Sequence, residues 1–161
     1  MVNELIEIIG REAAVFEAFL ELLEQQQRML VENDVDGLNR TSDLQREKLV
    51  ESQLLNKKRQ DLVEKIRVAN DIEGDLNVSR LLKIVDKDQA DRLSKLQRLI
   101  LGLNDKILET RNQNAVLLNR SRDYILKTME MLSKLNSPEP TYGASGKSKA
   151  QKLNLAVDRR A

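Results

Sequence analysis

Gly143-Ala144-Ser145-Gly146-Lys147-Ser148 holds the residue types that end a phosphate-binding loop. Glycines let backbone N–H groups approach a phosphate, the lysine offsets its charge and the hydroxyl reaches its magnesium ion. The complete pattern also needs a glycine six residues before the lysine, and that position is Thr141. It needs a preceding strand, and Ser137-Pro138-Glu139-Pro140 stands there instead. No nucleotide site is expected. The chain has no His and no Cys, which excludes zinc-finger, iron–sulfur, Cys-nucleophile and His-base chemistry. Phosphotransfer bundles need a His and di-iron bundles need Glu-x-x-His, so both fall as well. No cluster of acids suited to acid–base work is legible. The expectation is a protein that is not an enzyme and uses neither metal nor cofactor. The Asn-x-Ser/Thr triplets at Asn39, Asn77 and Asn119 carry no weight, because nothing sends the chain to a secretory pathway.

Work done without a catalytic pocket must be done by surfaces, and composition points to helical ones. Of 161 residues 33% are charged, and aromatic bulk is limited to 2 Phe and 2 Tyr. That mixture suits long exposed helices. A net charge of +1 exerts no strong pull toward nucleic acid or membrane. Met1-Val2-Asn3-Glu4 lacks the start of a signal peptide, and no apolar run is long enough to insert into a membrane. A cytoplasmic protein is expected.

The pattern that must position any functional surface is a heptad from Leu93 to Leu135. Its seam is Leu93, Leu96, Ile100, Leu103, Ile107, Thr110, Asn114, Leu117, Ser121, Tyr124, Thr128, Met131 and Leu135. None is charged, and spacings of three and four line one stripe of an α-helix that another helix must cover. Asn114 reads as a register-setting polar residue on that seam, with direct contact to a partner as the alternative.

Four helices are predicted. The first covers about 2–32, with the stripe Leu5, Ile9, Glu12, Phe16, Phe19, Leu23, Gln26 and Leu30. Both phenylalanines share this face, so the densest packing is expected near its middle. Asn33-Asp34-Val35-Asp36-Gly37 reads as a turn. The second covers about 36–70: Leu55, Leu62, Ile66 and Ala69 share a face, while its first half is noisy and weakly packed. A short helix capped within Asn77-Val78-Ser79 follows. The last runs over about 87–136, roughly 75 Å against about 46 Å for the first. Antiparallel packing therefore leaves part of the last helix without an intrachain partner. The expected fold is all-α: an elongated antiparallel helical hairpin or bundle with coiled-coil packing, a long C-terminal helix and a flexible tail. Its divisions are a helical domain over 1–136 and a tail over 137–161.

Beyond Asn114 the apolar face rotates. Seam positions Ser121 and Thr128 are polar, and Leu117-Leu118, Tyr124-Ile125 and Met131-Leu132 bring in Leu118, Ile125 and Leu132, seven residues apart. One reading is a local change in intrachain packing. The other is a surface for another protein's amphipathic helix, carried by Leu117, Leu118, Tyr124, Ile125, Met131 and Leu132. The tail is basic, net +3 against −2 for residues 1–136, and too polar to fold alone. Within it, Ala150, Leu153 and Val157 can share a short helical face upon binding.

These residues resemble the FlgN family of flagellar type III export chaperones over about 2–146. The resemblance lies in Asn112-Gln113-Asn114-Ala115-Val116-Leu117-Leu118, in Arg122-Asp123-Tyr124-Ile125-Leu126 and in Thr141-Tyr142-Gly143-Ala144-Ser145-Gly146. Leu55 to Leu62 also resembles the family's second-helix segment, although an acid often stands nearer the Arg there. The resemblance implies a cytoplasmic chaperone that binds the amphipathic terminal helix of flagellar hook–filament junction proteins. It would block their premature assembly and deliver them to the export apparatus, without nucleic acid. It also implies tail recognition by Thr141, Tyr142, Gly143 and Gly146. The alternative is a coiled-coil scaffold or adaptor, open to homodimerisation.

Overall fold

The computed structural model describes residues 1–136. They form four helices: α1 (Val2–Glu32), α2 (Val35–Ala69), α3 (Val78–Ile84) and α4 (Lys87–Asn136), with no strand among the described residues. Local chemistry sets each boundary. Asn33 ends α1 in a left-handed conformation (φ 56°), which Asn tolerates, and its backbone N–H returns to the Met29 carbonyl. The Asp34 carboxylate then accepts from the Gly37 N–H at 2.9 Å and starts α2. Asn77 caps α3 in the same way through Arg80 N–H at 2.9 Å, and Asp86 caps α4 through Gln89 N–H at 2.8 Å. Between α2 and α3, Gly74 takes φ 76°, a left-handed value at which a side chain is strained. Arg80 Nη1 holds this loop by the carbonyls of Glu73 (2.7 Å) and Asp75 (3.2 Å).

Gly37 differs from its reading as a turn residue. It lies inside the first turn of α2 and is buried. A Cβ there would overlap the Asp34 carboxylate and the Met29 sulfur. The glycine permits close packing at the hairpin bend rather than a special backbone angle.

Contacts divide the chain after Ile125, with Met1–Ile125 as one unit and a second starting at Leu126. In the first unit α1 and α2 form an antiparallel hairpin. Arg59 pairs with Glu12, and Gln45 bonds to Leu22, so rising positions in α2 meet falling ones in α1. The third long helix continues the up-down-up alternation: it runs antiparallel to α2, which places it parallel to α1. Gln89 Nε2 donates to Asn3 Oδ1 at 2.9 Å and Gln27 Nε2 donates to Gln113 Oε1 at 3.0 Å, both pairs 86 positions apart. Here α4 runs parallel to α1. α2 ends beside the start of α1, and the connection 70–86, with α3 inside it, turns the chain there into α4.

The core joins the start of α1 to the end of α2. Leu5, Ile6, Ile8 and Val15 pack with Leu55, Leu62 and Ile66, and Leu81 of α3 and Leu93 of α4 close the cluster. Leu5 and Ile66 are 1% exposed. The densest packing is therefore in the first half of α1, not at its middle. Phe16 and Phe19 are only half-buried, because α2 offers them no apolar partner face between Thr41 and Leu55. Leu44, Leu49, Val50 and Leu54 of α2 are exposed, as the noisy pattern of that stretch foretold.

Candidate functional site

In the first unit the heptad seam of α4 packs as its spacing demands. Leu93, Leu103 and Asn114 are buried; Leu96, Ile100, Ile107, Thr110, Leu117 and Ser121 are half-buried. Covering then stops. Leu118 is 57% exposed, Tyr124 73% and Ile125 54%. In the second unit every described side chain of the helix, through Leu135, is exposed, Met131 and Leu132 among them. Of the six helix residues singled out from sequence, five are thus exposed, and one, Leu117, is half-buried in the covered part of the seam. The exposed set is also wider than the rotated face, for it takes in Leu126, Met129 and Leu135. Thr141, Tyr142, Gly143 and Gly146 lie outside the described residues.

The last well-covered level of the seam is polar. Asn114 Nδ2 donates to the Leu23 carbonyl at 2.8 Å and to Gln26 Oε1 at 3.0 Å. Gln45 of α2 donates to the neighbouring Leu22 carbonyl at 3.4 Å. Two consecutive carbonyls of α1 thus take side-chain amides from two different helices. Asn114 is 5% exposed, and its Oδ1 is buried without a hydrogen-bond partner. The spacing marked Asn114 as a polar seam residue. The α1 stripe likewise holds Gln26, but spacing did not reveal Gln27, Gln45 or Gln113, which look like ordinary surface amides until three helices bring them to one level.

A second polar contact lies deeper. Glu12 is 7% exposed and meets Arg59, which also donates to Asn56 Oδ1. The pair borders a groove of about 440 Å³ lined by Ile9, Phe16, Leu81, Leu93, Ile100 and Leu101. Its carboxylate is bound by a guanidinium across the hairpin, an arrangement that fixes helices rather than moves protons. A charge inside an apolar stripe is the sequence signal for this pair; the stripe shows Glu12 but not its partner. On the surface, Arg67 holds the Glu64 carboxyl below the ordinary glutamate range, chiefly by hydrogen bonding. Among the described residues no three acidic side chains converge on one point, and no helix is long and apolar enough to cross a membrane.

A family model described as FlgN protein matches residues 1–150. The chain belongs to the FlgN family. As a family of flagellar export chaperones, FlgN proteins work by binding other proteins. That accords with a helical unit whose last helix runs on beyond its covered seam. No curated protein and no solved structure matches the chain. The FlgN match covers all four helices and part of the tail, so the polar layer and the exposed stretch of α4 both fall within the family's common region.

Proposed function

We propose that this chain is the cytoplasmic export chaperone for flagellar hook–filament junction proteins. It covers the amphipathic terminal helix with which those proteins assemble, and hands them to the export apparatus. The observation that carries this reading is the exposed apolar surface of α4, with Leu118, Tyr124 and Ile125 in the first unit and Met131 and Leu132 in the second. Leu117 contributes from the seam edge. An amphipathic helix supplies the complementary face. The mechanism is steric: a covered helix cannot polymerise, and exchange at the export gate releases it. Thr141, Tyr142, Gly143 and Gly146 act as a second recognition element, with Tyr142 as its aromatic anchor.

The test is to measure melting and client binding for Leu118→Glu, Ile125→Glu and Leu132→Glu, using a peptide of the junction protein's terminal helix. Each variant should keep its helicity and melting temperature. Each should lose about tenfold or more in affinity, since a charge replaces a desolvated leucine or isoleucine. Unchanged affinity in all three would sink the reading. Self-association lost in the same variants, with no client binding in any protein, would instead favour a homodimeric adaptor.

A further inference from the structure

Two features of α4 in the first unit have no role in the surface just described. The first is Asn114 Oδ1, a buried acceptor with no donor. Leaving such a group unsatisfied is costly. The second is Gly102, in the interior of a 50-residue helix. A Cβ built there would meet nothing within 4 Å, so close packing does not require a glycine at this point. A helix-interior glycine weakens the helix locally.

The intervening segment is thinly covered. From residue 104 to Ser121 only Asn114 is buried; Ile107, Thr110, Leu117 and Ser121 are half-buried. The large core cluster takes only Leu93 and Leu96 from α4. A weak point, a lightly packed segment and an unsatisfied lock therefore occur in that order along the helix.

We propose that Asn114 is a latch and Gly102 its hinge: the segment beyond Gly102 parts from α1, and the seam Ile107–Thr110–Asn114–Leu117–Ser121 accepts an amphipathic partner helix carrying a side-chain N–H or O–H donor opposite Asn114. In the closed state Asn114 donates twice and accepts nothing. In the open state Oδ1 is hydrated or takes the partner's donor. The recognised chemistry is an apolar helical stripe interrupted by one Asn, Gln, Ser or Thr. The choice of partner rests on the client-helix reading above; the motion itself does not.

With no native cysteine, spin labels can be placed uniquely on the full chain, at Arg28→Cys with Arg111→Cys across the latch and at Glu4→Cys with Asp88→Cys near the base. The free protein should give two distances across the latch and one at the base. Asn114→Leu exchanges the two donated bonds and the costlier orphan acceptor for an apolar contact, and should reduce the longer-distance population about tenfold; Gly102→Ala should reduce it through the hinge alone. The probe partner is a leucine-heptad peptide of about three heptads with one central Asn, compared with its all-leucine counterpart. The Asn peptide should raise the open population at about tenfold lower concentration. A single short distance in the free protein overturns the latch, as does an open population untouched by both substitutions. Equal response to the two peptides overturns the donor rule. Failure of client binding at Leu118 and Ile125 leaves the free-protein distances standing, so the two readings fail separately.

Discussion

Arg59 Nε lies 3.0 Å from each carboxylate oxygen of Glu12, joining α2 to α1 across the edge of the core. Glu12 is almost wholly buried, whereas the Arg59 side chain keeps 38% of its exposure. The two ends of this pair should therefore respond unequally to mutation. Arg59→Leu strands a buried carboxylate and should cost about 2–3 kcal/mol. Glu12→Leu with Arg59→Leu removes both charges and should recover most of that loss. Urea denaturation of the two variants checks this; a double variant no more stable than Arg59→Leu alone would show that shape, not charge, holds the site.

Glycine substitutions should split by position. Gly37→Ala forces the Asp34 carboxylate and Met29 sulfur aside and disturbs the α2 cap, so it should destabilise by about 1 kcal/mol. Gly10→Ala has open space around the added methyl and should stabilise by about 0.5–1 kcal/mol. Thermal melts that move in the same direction for both would contradict the packing described at the hairpin bend.

Acid titration should single out Glu64. Hydrogen bonding from Arg67 lowers its folded carboxyl pKa. The pair's contribution is therefore present above the ordinary glutamate range and disappears as pH falls through the lowered value. Glu64 is exposed and Arg67 half-buried, so solvent screens the pair and its effect on stability is small. The readout is the Glu64 carboxyl shift by NMR, whose midpoint should rise toward the ordinary range in Arg67→Gln.

Tyr142→Ala tests the tail element. Melting should be unchanged, and binding to the junction protein or its secretion should fall several-fold. If both are unaffected, the Thr141–Gly146 element plays no part in recognition.

The helices were legible because their signals are local. Apolar spacing marked α1 and α4, the Asn77 chemistry marked the start of α3, and the absence of partners for Leu44 to Leu54 showed as a noisy stripe. The direction of α4 followed from the antiparallel bundle, since a third helix antiparallel to α2 is parallel to α1. The levels at which α4 meets α1 were not legible, because a heptad seam reads alike along its length. The exposed stretch of α4 was partly legible: the rotated stripe revealed Leu118 and Ile125, while the exposed Leu126 and Met129 lie off that stripe. Gly37 was misread because a sequence shows that a glycine is present, not which neighbour approaches it.

Only Asn33 and Asp34 separate α1 from α2, whereas the bonds from α1 to α4 join residues 86 to 91 positions apart. Closing the first loop costs far less chain entropy than closing the second. A ribosome releases α1 and α2 before it has made Asn114, so the hairpin can form with its α4-facing stripe still bare. Contact order then places docking of α4 last and makes it the slower step. For a member of an export-chaperone family, the nascent chain spends its own youth as a half-covered hairpin, dependent on the timely arrival of its final fifty-residue helix.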